Sequence, residues 1–107
     1  MIARTWRGWI ATERATEYVA YLDQTGLSEY AQTPGNLGAH CLLRDLDGGR
    51  TEIVTLSFWE SMEAVKRFAG DDPSQAVFYP EDDDFLVDRE TTVTHFQVPW
   101  STQLPES

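Results

Sequence analysis

The sequence predicts an α+β protein with the ferredoxin-like, split βαβ fold, in which four antiparallel strands form a sheet and both helices cover one face. Two observations lead to this prediction. Segments with strand and helix periodicity follow one another in the order strand, helix, strand, strand, helix, strand. The length of 107 residues suits one hydrophobic core, so we expect a single domain over residues 1–99 and a polar tail over 100–107.

The first half of the chain predicts a strand and a helix. Residues 2–11 alternate two sets of side chains without a turn residue, which is typical of a strand. Thr12 is a residue type that often caps helices, and apolar side chains recur after it at helical spacing. We expect this helix to run to about Thr25, with Gly26 as its end. A further turn over 27–31 and a Pro- and Gly-containing loop over 33–38 follow.

A hairpin is predicted in the middle of the chain. Its strands cover 39–46 and 50–59, and Asp47-Gly48-Gly49 between them is a typical tight-turn sequence. Successive side chains of a strand point to opposite faces of the sheet. One face of the second arm is wholly apolar, with Val54, Leu56 and Phe58. We expect a second copy of the chain to cover this face, giving a homodimer.

The opposite face of the same strand has a mixed composition: Ile53, Thr55, Ser57 and Trp59. Small hydroxyl side chains leave volume between sheet and helices, and an indole is a flat wall for a planar ligand, so this face favours a cavity. The alternative is that Thr and Ser occur here because they favour strands, and that Trp59 is a core residue.

A second helix and a last strand complete the prediction. Ser61 has the residue type of a helix N-cap, and Gly70 is a typical helix end. The apolar stripe of this helix is Ala64, Val65 and Phe68. A loop with a short turn over 73–84 leads to a strand over 91–98, which Pro99 ends.

Charge and cysteine content argue against several classes of partner. The formal charge is −10, from 18 acidic and 8 basic residues, and it would repel nucleic acids and anionic membranes. Cys41 is the only cysteine, so we expect no intrachain disulfide and no thiolate metal cluster. The N-terminal residues lack the apolar segment of a signal peptide, and no stretch is apolar enough to span a bilayer. These observations predict a cytoplasmic protein.

The segment "LSFWESMEAVKRF" (56–68), taken with the order of elements, resembles the antibiotic biosynthesis monooxygenase superfamily. The resemblance covers roughly residues 2–98, and its most specific part is a Trp at a strand end followed by a Ser-containing helix start. It implies a dimeric α+β barrel. It also implies that Trp59 lines a substrate or haem pocket.

Two branches of this superfamily imply different chemistry. The haem-degrading branch has an Asn on the first strand and a haem-ligating His after the second helix, where this chain has Trp6, or Arg7 if the alignment shifts by one residue, and Phe78. These side chains cannot ligate iron, so haem degradation is disfavoured and no cofactor is expected. The branch that oxidises aromatic polyketide phenols without metal or flavin has an Asn four residues before the Trp. Thr55 stands there and could donate one hydrogen bond to a phenolate.

Several other side chains are candidates, each with an alternative. His40 and His95 could act as a base on a phenol or enol, or could be structural or surface groups. Arg4 shares a strand face with Trp6, so it could bind an anionic oxygen in the cavity or pair with one of the many carboxylates. Phe78 and Tyr79 could close the cavity as a lid or could anchor the loop after the second helix.

The acidic residues at 71–72 and 81–84 raise the question of a cation site, since hard cations bind oxygen ligands. The run lacks the glycine spacing of a calcium loop. We therefore interpret it as a solvated charge run and expect no metal.

These patterns lead to the hypothesis of a homodimeric, cofactor-independent monooxygenase that acts on a small, planar aromatic or polyketide-like substrate. Thr55 and Arg4 would polarise the substrate oxygen, and His95 or His40 would accept its proton. The remaining predicted substrate contacts are Trp6, Ser57, Trp59, Phe78 and Tyr79. The alternative is a non-catalytic dimer of the same fold that binds a ligand or has a structural or stress-related role.

Overall fold

The structure, a computed structural model, describes residues 1–102 and contains an antiparallel sheet with helices on one side. The end of the predicted tail, 103–107, lies outside the described residues. The strands are β1 (Ile2–Ala11), β2 (Asn36–Leu46), β3 (Arg50–Trp59), β4 (Leu86–Arg89) and β5 (Thr94–Gln97). The helices are α1 (Ala15–Gln24), α2 (Gly26–Gln32), α3 (Met62–Ala69) and the short α4 (Asp82–Phe85), and a 3₁₀ turn, Thr12–Arg14, precedes α1. The predicted α+β class is confirmed.

The sheet has four positions, in the order β2, β3, β1 and then β4 with β5. Strands β1 and β3 pair along their whole length, from Ile2 opposite Trp59 to Ala11 opposite Arg50. The other edge of β1 pairs with β4 near Gly8 and with β5 near its start. Two short strands, end to end, therefore occupy the place of the predicted fourth strand.

The predicted continuous strand over 91–98 is wrong in its extent. Glu90 still donates its amide to the carbonyl of Arg7 on β1 at 2.9 Å, whereas residues 91–93 bond to the loop that follows α3 instead. The Ala76 amide donates to the carbonyl of Thr91 at 3.0 Å, and the Val93 amide donates to the carbonyl of Ser74 at 2.8 Å. These bonds attach that loop to the edge of the sheet.

The residues at helix ends confirm one predicted cap and correct another. The Ser61 side chain accepts a hydrogen bond from the Ala64 amide at 3.2 Å, as predicted, and α3 ends at Gly70 with a positive φ of 85°. The predicted cap at Thr12 is wrong. Its hydroxyl lies 2.9 Å from that of Thr51 on β3, and the residue belongs to the 3₁₀ turn before α1.

The other boundaries differ from prediction by a few residues. Gly26 begins α2 rather than simply ending α1, so the predicted turn over 27–31 is a helix of its own. Strand β2 starts at Asn36 instead of residue 39, and the Asn36 side chain donates to the carbonyl of Phe58 on β3 at 3.3 Å. None of the helices within residues 1–102 combines the length and the apolar content needed to cross a bilayer.

The two faces of β3 differ in burial as their compositions predict. On the helix side, Ile53 and Trp59 are fully buried, and Trp59 packs with Ala64 and Val65 of α3. A second cluster joins Trp6, Ile10 and Ile53 of the sheet to Tyr18 and Leu22 of α1. On the opposite face, Val54, Leu56 and Phe58 are only partly buried. None of the helices within residues 1–102 packs against that face.

Candidate functional site

A cavity lies between the helix side of the sheet, helices α1, α2 and α3, and the loop that follows α3. Its volume is about 40 Å³, enough for a few water molecules. The aromatic side chains in its lining are Trp6, Tyr18, Tyr30, Phe68, Phe78 and Tyr79. Its other polar side chains are Arg4, Thr55 and Asp82. Aromatic walls with a few polar groups are the usual composition of a small-molecule site.

Arg4 is the one cationic side chain in the described lining, and it is only 2% exposed. Its Nη2 donates to the carbonyl of Gln75 at 3.4 Å, and its guanidinium carbon lies 5.8 Å from the centroid of the Phe68 ring. Among the described residues, Nε and Nη1 have no hydrogen-bond partner and no carboxylate forms an ion pair with this side chain. Burial lowers the pKa of Arg4, yet a guanidinium remains protonated at neutral pH.

Trp6 forms a wall of the cavity, and Gly8 provides the space for its ring. A Cβ at position 8 would lie 2.5 Å from Cη2 of Trp6, so a larger residue would displace the indole. The indole Nε1 donates to the carbonyl of Glu90 at 2.6 Å. On its other side the ring meets Phe78 edge-on, with 6.0 Å between centroids. The wall is therefore fixed by both the sheet edge and the loop.

Tyr30 and Thr55 contribute hydroxyl groups close to Arg4. Burial raises the pKa of Tyr30, while the Arg4 charge and a hydrogen bond from Thr55 act in the opposite direction. The Tyr30 ring also packs on Phe68, with 4.4 Å between centroids. Two hydroxyls and a cation at one end of an aromatic cavity could together stabilise negative charge on an oxygen atom.

Phe78 and Tyr79 line the cavity from the loop that follows α3, and contacts with other elements anchor them. The Phe78 ring lies 4.7 Å from the guanidinium carbon of Arg89. The Tyr79 hydroxyl donates to the carboxylate of Glu29 on α2. These contacts show that the two residues anchor the loop, and their role as a lid stays a prediction.

Asp82 corrects the interpretation of 81–84 as a uniformly solvated charge run. Its side chain is 3% exposed, while its three acidic neighbours are exposed. Oδ1 accepts from the Tyr18 hydroxyl at 3.0 Å, and Oδ2 accepts from the Tyr79 amide at 2.7 Å. Burial and the Asp82 charge both raise the pKa of Tyr18, which keeps this hydroxyl protonated and able to donate. Asp82 thus fastens the loop to α1.

We expect Asp82→Ala to lower the free energy of unfolding by about 1–3 kcal/mol, because the buried Tyr18 hydroxyl would lose its acceptor. The loop would also be cleaved faster in limited proteolysis. Chemical denaturation with peptide mapping of the digest measures both effects. Asp84→Ala is the matched control, since Asp84 is exposed on the same short helix. Equal stability of the two variants would contradict the fastening role.

Two predicted substrate contacts, Trp59 and Ser57, lie beneath the cavity rather than on its wall. Trp59 is fully buried, and its Nε1 donates to the Ser57 hydroxyl at 2.9 Å. Its ring packs against Tyr30 and Phe68, which do line the cavity, with 5.9 and 6.1 Å between centroids. Trp59 therefore supports the residues of the wall.

The two histidines lie on opposite faces of the sheet. His40 is paired with Leu56 and meets Phe58 edge-on at 6.2 Å, so it belongs to the outer face. His95 is directly opposite Arg4 in the pairing of β5 with β1 and lies on the helix side. Burial, and to a lesser extent the Arg4 charge, lower the pKa of His95, which favours its neutral form.

The structure thus brings together five of the predicted site residues: Arg4, Trp6, Thr55, Phe78 and Tyr79. His95 is adjacent to this group through Arg4. The sequence analysis missed Tyr18, Tyr30, Phe68 and Asp82. The helical spacing of Tyr18 and Phe68 predicted their burial, but nothing in the local sequence indicated that Tyr30 or Asp82 points inward. Among the described residues, no cluster of three or more His, Cys, Asp or Glu is suited to bind a metal ion.

Comparisons with known proteins identify the fold. No protein-family model matches the chain, and no curated protein sequence matches it significantly. A protein from Bacillus cereus described as an antibiotic biosynthesis monooxygenase is 17% identical, with a TM-score of 0.63 over 96% of this chain and 97% of that one. The haem degrader MhuD from Mycobacterium tuberculosis, with two haems in its active site, is 16% identical, with a TM-score of 0.57 over 96% of this chain and 100% of that one.

A third solved structure has a different description. It is a NIPSNAP domain protein from Burkholderia xenovorans, 18% identical, with a TM-score of 0.60 over 96% of this chain and 100% of that one. Identities this low establish a shared fold and no more. The predicted resemblance to the antibiotic biosynthesis monooxygenase superfamily is confirmed at the level of the ferredoxin-like fold.

Proposed function

From the fold shared with antibiotic biosynthesis monooxygenases, we propose that this protein is a small-molecule enzyme, a cofactor-independent monooxygenase acting on an aromatic or polyketide-like substrate. The observation that supports the proposal best is that Arg4, Tyr30 and Thr55 line the same aromatic cavity, with Tyr30 close enough to both to be affected by them. Such a group stabilises an oxyanion more strongly in a site shielded from water than in solvent.

In the proposed reaction a phenol or enol gives up its proton, and the resulting anion transfers an electron to dioxygen. The carbon radical and superoxide then combine to form a carbon–oxygen bond, and the peroxide takes up the proton. Loss of water from this hydroperoxide breaks the oxygen–oxygen bond and leaves a carbonyl, so one oxygen atom enters the product and the other leaves as water. His95 is the better of the two predicted bases, because it is next to Arg4 on the helix side whereas His40 is on the other face. Thr55 and Arg4 would stabilise the anion, and Trp6 with Phe78 would hold its ring.

The size of the cavity limits how a substrate could enter. About 40 Å³ does not accommodate a bicyclic ring unless side chains move. The side chains best placed to move are Phe78 and Tyr79, which lie on a loop. The Phe78 ring contacts only Trp6 and Arg89 among the described aromatic and cationic groups, and the Tyr79 hydroxyl bonds to Glu29. We therefore propose that this loop opens for a substrate and closes over it.

Haem fits this cavity poorly, although one protein with the same fold is described as a haem degrader. The described lining contains no His, Cys or Met, and Phe78 occupies the position where the resemblance implies a ligating His. Two of the lining tyrosines, Tyr18 and Tyr79, already donate to carboxylates. We therefore propose no reaction through haem.

The proposal includes a homodimer and a cytoplasmic location. The outer sheet face carries Val54, Leu56 and Phe58 without a helix against it, and Leu42 and Phe96 add side chains that are 47% and 53% exposed. Apolar surface of this extent on a sheet favours association with a second copy. A single, partly buried cysteine suits a reducing compartment.

A ligand-binding protein without catalysis is the second candidate. It is favoured by the small size of the cavity and by the position of Trp59 in the core, where it cannot stack on a substrate. The two candidates agree on the binding site. They differ in whether oxygen is consumed.

Oxygen consumption with 1-naphthol and anthrone tests the enzyme proposal, and tryptophan fluorescence measures binding in the same samples. We expect uptake by the wild type and a loss of about 100-fold in Thr55→Val, the usual cost of removing one oxyanion donor. Thr16→Val, exposed on α1, is the control and should behave as wild type. Binding without uptake would favour the non-catalytic candidate, and absence of both would contradict the proposal.

A further inference from the structure

A buried cation without a counterion is the most unusual electrostatic feature of the described residues. Arg4 is 2% exposed, and the ion pairs within residues 1–102 involve four of the six other arginines: Arg7, Arg14, Arg44 and Arg89. A buried charge that lacks a partner is strongly destabilising. In a chain with 18 acidic residues, a carboxylate partner would be easy to supply. The lack of a carboxylate partner indicates that the Arg4 charge has a role other than stabilising the fold.

The carboxylates nearest the cavity are engaged elsewhere. Asp82, in the lining, uses both oxygens to accept from Tyr18 and from the Tyr79 amide. Glu29 accepts from the Tyr79 hydroxyl. Neither carboxylate is therefore available to neutralise the guanidinium, whose Nε and Nη1 remain without a partner.

His95, which is not itself in the cavity lining, adds a second unpartnered group next to Arg4. It lies opposite Arg4 in the β5–β1 pairing, and its buried Nε2 has no hydrogen-bond partner among the described residues. Ser57 lies opposite Arg4 in the pairing of β3 with β1. Its hydroxyl already accepts a hydrogen bond from the Trp59 indole. The unsatisfied polar atoms therefore belong to two residues that are paired across neighbouring strands, and one of these residues, Arg4, lines the cavity with Tyr30 and Thr55.

We propose that Arg4 and His95 form an oxyanion-binding site at the end of the cavity, and that the natural ligand is a small, planar, conjugated organic anion: a carboxylate, phenolate or enolate. This inference rests on the cavity being a ligand site, as in the proposed function, but it does not require catalysis. The anion neutralises Arg4, and its planar body lies between Trp6 and Phe68. A neutral ligand of the same shape leaves the guanidinium unpaired and binds less well.

The test compares matched anionic and neutral probes by isothermal titration calorimetry. Benzoate is compared with benzamide, and 4-nitrophenolate with 4-nitroanisole, which separates a carboxylate from a phenolate preference. We expect at least one anion to bind about tenfold or more tightly than its neutral counterpart. Arg4→Met should lose this preference, and His95→Gln should weaken it. Arg7→Met, on the same strand but exposed on the outer face, should keep it.

The stability of Arg4→Met separates a binding role from a structural one. Replacing an uncompensated buried charge by an apolar side chain of similar length should raise the denaturation midpoint of the ligand-free protein. A lower midpoint would show that Arg4 stabilises the fold and would overturn the inference. Equal binding of the anionic and neutral probes, or no binding of either anion, would overturn it too.

The outcome is distinguishable from that of the proposed enzyme. Benzoate binding that depends on Arg4, without oxygen uptake by any phenol, keeps the oxyanion site and rejects the monooxygenase. Oxygen uptake that is unchanged in Arg4→Met keeps the monooxygenase and rejects the oxyanion site.

Discussion

Trp59→Ala should reduce the free energy of unfolding by about 3–5 kcal/mol, the usual range for deleting a buried Trp. The side chain is fully buried, packs with Ala64 and Val65, and supports Tyr30 and Phe68 from below. The cost has two parts, the lost burial of the indole and the void left behind, and the surrounding strand and helix can close that void only partly. For a protein of this size the loss is a large fraction of the total stability.

Chemical denaturation followed by circular dichroism measures this effect without relying on tryptophan fluorescence. Trp100→Ala is the control, because Trp100 is 79% exposed and its removal should change stability by less than about 0.5 kcal/mol. If Trp59→Ala were as stable as Trp100→Ala while ligand binding disappeared, Trp59 would be a direct ligand contact. That result would contradict its place in the core.

Leu56→Asp should convert the proposed homodimer to a monomer or prevent folding. Leu56 is at the centre of the outer apolar face, between Val54 and Phe58, and an aspartate there would have to lose its hydration on association. Two copies of the new charge would also face each other across a two-fold interface. We expect the apparent mass in light scattering to fall by half, or the variant to be recovered only as aggregate.

Ala20→Asp introduces the same charge on the exposed side of α1 and should leave the assembly unchanged. A wild-type protein that is monomeric at micromolar concentration would contradict the dimer directly. An unchanged dimer in Leu56→Asp would show that the copies associate through some other surface.

Strand and helix periodicity was sufficient to predict the fold, because burial on one face imposes a regular spacing. The register of β1 with β3 follows from two long alternating segments that can pair along their whole length. The extent of the last strand could not be predicted in this way. Thr91 and Val93 bond to Ala76 and Ser74, and such a choice between partners depends on contacts that are distant in sequence.

The cavity residues could be predicted on the strands, because alternation along a strand decides which side chains face the helices. They could not be predicted where the fold of a loop or the packing of a side chain decides its position. Arg4, Trp6 and Thr55 lie in the cavity because parity places them on the helix side. Asp82 looked like its acidic neighbours, and only the position of the Tyr18 hydroxyl shows why it is buried. Trp59 lies on the helix side of β3, as its strand parity predicts. Its ring bonds to the Ser57 hydroxyl and packs against α3, so it lies beneath the cavity wall.

The bonds between residues 74–76 and 91–93 have a consequence for how quickly the cavity could exchange its contents. They fix one end of the covering loop to the sheet edge, and Asp82 fixes the other end to α1. Only 77–81 remains between these two attachments, so admission of a molecule requires displacement of a short segment and no rearrangement of strands or helices. Opening and closing of such a lid occurs on a scale of about microseconds to milliseconds. Passage into the cavity would then be faster than most chemical turnover, and the occupancy of the cavity would follow the ligand concentration at equilibrium.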